Sequence, residues 1–111
     1  MKTRLFISAL LSVTLVFIGC QKDDDEPAVK VTYTKDVKPI MVASCAPCHV
    51  AGGANPNKWD EYTPTKNKIT TILDRVNRAE GAAGFMPIGG TKLPSETIDI
   101  LNKWVADGTL E

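Results

Sequence analysis

From residue 5 to residue 18 the chain reads LFISALLSVTLVFI, mostly apolar and free of charge, and from residue 21 it turns sharply polar with QKDDDEPA. Past residue 30 the apolar positions return with helical spacing. VKPIMVASC (residues 37–45) predicts a first helix, with Pro39 in the first turn, where a missing N–H costs nothing, and Asp36 complementing the dipole. KNKITTILDRVNRAE (66–80) predicts a second, with Ile69, Ile72, Leu73, Val76 and Ala79 on one face and Gly81 as the stop. SETIDILNKWVADG (95–108) predicts a third, with Ser95 as N-cap after Pro94, Ile98, Leu101, Trp104 and Val105 on one face, and Gly108 as the C-terminal cap. The stretches 50–64 and 81–94 are rich in Gly, Pro and Asn and read as loops. No segment alternates as a strand would. The expected fold is all-α: three main helices joined by long loops that need something to wrap around.

Composition sharpens that need. Residues 30–111 leave a folded part of about 80 residues, near the size at which a core alone is marginal and a cofactor or staple is expected. Past residue 20 the only aromatics are Tyr33, Trp59, Tyr62, Phe85 and Trp104. A bulky apolar group would make good the shortage.

The start of the chain reads as a targeting segment. Lys2 and Arg4 precede the apolar run, and a 14-residue helix would span about 21 Å, short of the roughly 30 Å of a bilayer core. A basic start, a short apolar stretch and the small residue Gly19 indicate a secretory signal over residues 1–19. FIGC, ending at Cys20, resembles the lipobox of bacterial lipoproteins, and that resemblance implies an acylated Cys20 at the new N-terminus. Several acyl chains hold a protein firmly where one holds it marginally. Residues 20–29 then form an acidic flexible linker. Gln21 is not the Asp associated with inner-membrane retention, and QKDDDE is similar to the acidic tag of lipoproteins displayed on the outer membrane. The expected location is the outer membrane, facing the periplasm or the cell surface. Removal of residues 1–19 takes away two of the 13 basic side chains and none of the 13 acidic ones, which gives no reason to expect nucleic acid.

The chemistry is concentrated at CAPCHV (45–50), where two cysteines meet the only histidine. A structural zinc site needs about four ligands, and beyond Cys20 only Cys45, Cys48 and His49 are at hand. A thioredoxin-like thiol pair belongs at the start of a helix in an α/β pattern, which is missing. A Cys45–Cys48 disulfide leaves the adjacent histidine unexplained. Cys-x-x-Cys-His is the attachment signature of a c-type haem: two thiols one helical turn apart meet the two vinyl groups, and the histidine falls beneath the iron. Export agrees, because such attachment takes place outside the cytoplasm. With a single histidine, bis-His ligation is excluded and methionine becomes the expected partner. Met1 leaves with the signal, and Met41 enters on the proximal side. Met86 remains, in the Gly-rich stretch GAAGFMPIGG, where the alternative for a lone Met is core filler.

YTKDVKPIMVASCAPCH followed by FMPIGGTKLPSETIDILNKWVADG resembles a mono-haem class I cytochrome c over residues 30–111. The resemblance implies that fold around one covalently bound haem c, thioethers at Cys45 and Cys48, axial ligands at His49 and Met86, and Trp104 packing the last helix across the first. In that family a Gly often follows the ligand histidine, and a Gly-Pro pair about a dozen residues later orients it. Here Val50 follows, and the nearest proline is Pro56, so the acceptor for the His49 Nδ1–H is undefined. Arg75, Arg78 and Trp59 are candidates to meet the haem propionates, against an ordinary surface or packing role for each. Ala46, Pro47, Val50, Phe85 and Ile88 could form an apolar rim where electrons enter. The expected function is a membrane-tethered carrier, monomeric and not an enzyme, passing single electrons between transient redox partners. The competing readings are a haem enzyme or gas sensor with a displaceable Met86, and a haem-free lipoprotein with a redox CxxC.

Overall fold

The computed structural model describes residues 27–111. The signal at 1–19, Cys20 and most of the acidic linker lie outside the described residues. The first helical segment starts earlier than the apolar spacing predicts, with a π-turn over Tyr33–Val37 that runs directly into α1, Lys38–Cys45. Proline accounts for the widened turn. Pro39 has no N–H to give to an i−4 carbonyl, and the neighbouring Lys38 N–H bonds five residues back, to Tyr33. Asp36 reaches back to the Thr32 N–H at 2.8 Å, much as the acidic member of a capping box does. Tyr33, Val37 and Met41, four residues apart, are buried along one stripe. α1 stops at Cys45, because Pro47 pushes Ala46 to extended backbone (φ −71°, ψ 156°).

The second helix, α2, covers Tyr62–Asn77, so it is shifted toward the N-terminus from the predicted 66–80. Pro64 falls in its first turn, where an N–H is dispensable. At the other end Arg78 is extended (ψ 160°), which leaves Ala79 exposed beyond the helix. Lys92 supplies the stop: its ammonium lies 2.8 Å from the Asn77 carbonyl, a cation on the negative end of the helix. Thr65, Ile69, Ile72 and Val76 form the buried face.

The third helix, α3, covers Ser95–Ala106. Ser95 is its first residue and makes no side-chain cap bond; the Pro94 carbonyl takes the first N–H groups, from Thr97 at 3.1 Å and Ile98 at 3.2 Å. The C-terminus ends as the sequence predicts. Gly108 adopts φ +95°, Thr109 N–H reaches the Trp104 carbonyl at 2.8 Å, and Gly108 N–H reaches Val105 at 3.1 Å, the paired bonds of a Schellman motif. Ile98, Leu101 and Trp104 are buried, whereas Val105 is exposed. At that level the Trp104 indole takes the interface, with ring centroids 5.9 Å from Tyr33 and 6.4 Å from Tyr62.

The architecture is all-α: among the described residues no strand forms, and the one β-bridge joins Thr32 to Leu110. α3 packs on α2 and on the π-turn, and the first and last stretches of the described residues are tied together there. Tyr33 N–H and Trp104 Nε1–H both donate to the Leu110 carbonyl, at 2.8 and 2.7 Å, and the Val31 N–H donates to Asp107 at 2.7 Å. No helix among the described residues is long and apolar enough to cross a membrane.

Two outcomes follow from this clasp. Trp104→Ala should cost about 3–5 kcal/mol, read by denaturant unfolding, because it empties a fully buried site. Hydrogen bonds from Lys103 and from the Val31 N–H hold the Asp107 carboxyl below the usual carboxylate range. Its contribution is therefore present above about pH 4 and lost as acid protonates it. Asp107→Asn should lower the unfolding midpoint at neutral pH and flatten the decline in stability on acidification.

Candidate functional site

Cys45 closes α1, and the four residues after it turn back on themselves: the His49 N–H bonds to the Cys45 carbonyl at 2.9 Å. The CxxCH stretch is thus a helix end followed by a turn, where the spacing alone predicts a single helical turn, and Pro47 is the cause. Both cysteines are free thiols, Cys45 half-buried with its Sγ 3.7 Å from the Met41 sulfur, and Cys48 exposed. Burial pushes the Cys45 thiol up to about 11.

The loop from 46 to 61 is built around His49. Its Nδ1 lies 3.0 Å from the Asn57 carbonyl, and a carbonyl only accepts, so Nδ1 carries the proton and Nε2 keeps its lone pair. The imidazole stacks on the Trp59 indole, with centroids 5.1 Å apart and planes 14° from parallel. Trp59 is held in turn. Its N–H donates to the His49 carbonyl at 2.7 Å, and its own carbonyl accepts from the Tyr33 hydroxyl at 2.8 Å and lies 2.9 Å from that of Thr65. The loop closes tightly enough that Gly53 has no room for a side chain, since a Cβ there would overlap the carbonyls of Pro47 and Cys48.

The second loop, from 78 to 94, brings Met86 in. Its N–H donates to the Arg75 carbonyl at 3.3 Å, and the Arg75 guanidinium reaches the Gly84 carbonyl at 3.3 Å. Arg78 holds the Ala83 carbonyl and pairs with Asp74 at 2.6 Å. Gly84, at φ +77°, lets the backbone lie against both guanidiniums.

These pieces enclose one cavity of about 740 Å³, within the size range of a cofactor site. Cys45, Cys48, His49 and Met86 all line it, together with Trp59, Ile72, Val76 and Leu93. Met41 is buried in the core and is not part of the wall. Of the expected propionate candidates, Arg75 lines the cavity, Arg78 does not, and Trp59 serves as the packing partner of His49. Ala46, Pro47 and Ile88 are exposed at the mouth, Ile88 by 80%, and Val50 is half-covered. Phe85, expected on that rim, is buried at 5% exposure, which removes its ring from water at a gain of about 1.5–3 kcal/mol. Asn57, which orients His49 through its backbone, could not be read from the sequence, because any residue type offers a carbonyl. Lys68 and Thr71, also in the wall, carry no motif that would have marked them. Among the described residues no group of three His, Cys, Asp or Glu side chains converges to hold a metal ion.

Set against protein-family models, curated proteins and solved structures, the chain matches none.

The loop geometry carries its own test. Gly53→Ala should force the 50–57 turn away from Pro47 and Cys48 and break the His49–Asn57 contact. Its expected signature is a loss of about 1–3 kcal/mol in stability, with the His49 imidazole resonances in NMR shifting toward those of the unfolded chain.

Proposed function

We propose that residues 30–111 form a c-type cytochrome domain of the class I kind, which passes single electrons between redox partners. One haem c would be held by Cys45 and Cys48 through thioethers and by His49 and Met86 as axial ligands. The observation that carries this reading is the convergence of those four side chains on one cavity, with His49 protonated at Nδ1 and its Nε2 lone pair unspent. Its walls are largely apolar, and both cysteines are unpaired thiols, as addition of an S–H across each vinyl group demands. The donor set and the cavity fit an iron porphyrin. When bound, that group supplies a centre that accepts and returns one electron, with a potential raised by a thioether ligand.

The chain's own residues support transfer without chemistry on a substrate. The Asn57 carbonyl fixes the imidazole tautomer, while Trp59 fixes the ring plane. The chain leading into Met86 is held by Arg75 and Arg78 through the Gly84 and Ala83 carbonyls and the Met86 N–H, which favours a ligand that stays over one that leaves. Haem-free thiol chemistry is disfavoured. A reactive cysteine sits at a helix N-terminus with a lowered pKa, whereas Cys45 sits at the negative end of α1 and is shifted upward by burial.

Ala46, Pro47 and Ile88 give the mouth an apolar rim suited to the small interfaces of transient redox encounters. In the same reading, a lipid on Cys20, after loss of residues 1–19, tethers the domain to the outer membrane. Residues 20–29 serve as its linker, and the tether raises the local concentration of membrane-bound partners.

Expression with a haem-attachment system and mass spectrometry of the mature chain tests the proposal. One covalent haem per chain is expected, lost in a Cys45→Ala, Cys48→Ala double variant; a wild-type chain that emerges without haem sinks it. In the loaded protein Met86→Ala should convert a low-spin spectrum to a high-spin one and open the reduced protein to CO. Rapid CO binding by the wild type would instead favour the gas-sensor reading.

A further inference from the structure

The cavity wall contributed by α2 has a chemistry that the four ligands do not use. Lys68, Thr71, Ile72, Arg75 and Val76 follow the 3–4 spacing of one helix face, and all five line the cavity. Lys68 and Arg75 are the only charged side chains in its lining, and no carboxylate faces them there. Neither is ion-paired among the described residues, where the side-chain ion pairs are Arg78–Asp74 and Lys103–Asp107. Lys68 is exposed and Arg75 half-buried, so both can meet an anion at the cavity wall without first leaving another ion pair. Seven residues apart, they stand two turns, or about 10 Å, from each other along the helix. The Thr71 hydroxyl lies between them in register.

Haem carries its two vinyl groups on one edge and its two propionates on the opposite edge. With the vinyl edge held by Cys45 and Cys48 at the end of α1, the carboxylates must meet a different wall. α2 is the only element that brings positive charge to the cavity. Resting on the haem reading above, we propose that Lys68 and Arg75 are positioning residues that bind the two haem propionates, with Thr71 as a hydroxyl donor between them. Arg78 has no part in this site, being spent on Asp74 and Ala83 and absent from the cavity wall, whereas Trp59 lines the cavity and stacks on His49. By holding the carboxylates ionised, the two cations also govern how the reduction potential depends on pH.

The test is the reduction potential of the loaded protein as a function of pH. Lys68 is the cleaner position, because Arg75 also holds the Met86 loop. In Lys68→Gln the pH at which the potential starts to vary should rise by about one to three units, as expected on removing a cation beside a carboxylate. Lys68→Arg should restore the wild-type profile. Lys66→Gln, on the same helix but outside the cavity, should leave it unchanged. A Lys68→Gln profile that superimposes on the wild type, with full covalent haem by mass, overturns this assignment and leaves the proposed function standing. A wild-type chain that carries no haem overturns both.

Discussion

The way His49 is held is the constraint on which the rest of this molecule depends. A lone imidazole on a loop would turn freely and offer either nitrogen. Here one nitrogen is committed to the Asn57 carbonyl and the ring lies flat on Trp59, so rotation and tautomer are both settled. The cost of ordering that loop is met by bonds made elsewhere. Trp59 is anchored by the Tyr33 hydroxyl from the π-turn and by Thr65 from α2, two elements far apart in the chain. Burial pushes the Tyr33 phenol above its ordinary value, which keeps the donated proton in place. A histidine next to two cysteines thereby inherits its orientation from the hydrophobic core.

The same logic governs Met86. Its loop is anchored by Phe85 and by Met86 and Leu93 against the core, and the backbone carbonyls of 83 and 84 are gripped by Arg78, just past α2, and by Arg75 in its last turn. The helix that presents cations to the cavity therefore also helps to hold the loop that carries Met86. One element thus contributes both to the placement of Met86 and to the charge in the cavity wall. That coupling gives the elements a division of labour: the π-turn and α3 clasp residues 31–33 to 104–110, α1 and the turn after it deliver the cysteines, and α2 builds another wall of the cavity.

Much of this was legible in the sequence where the signal is local. The apolar spacing of Ile69, Ile72 and Val76 and the Gly108 stop are nearest-neighbour effects, and they survive folding because no tertiary contact outweighs them. Element ends were less legible. α2 begins at Tyr62 because Pro64 is harmless in a first turn, and it stops before Ala79 because Lys92, arriving from the next loop, caps its last carbonyl. Such a contact depends on where a loop returns, which periodicity does not encode. Phe85 shows the same limit: a Gly-rich context suggested exposure, and the gain from burying an aromatic ring decided otherwise.

At the site, residue identity alone established which side chains are chemically able to act: two thiols, one imidazole and the thioether of Met86. Their gathering around a single cavity, the choice of the Asn57 carbonyl as the imidazole's acceptor and the presence of Lys68 and Arg75 without a facing acid were decided only by the tertiary structure. The physical reason is that a ligand's identity belongs to its side chain, whereas its orientation and electrostatic surroundings come from backbone groups and neighbours supplied by distant parts of the chain.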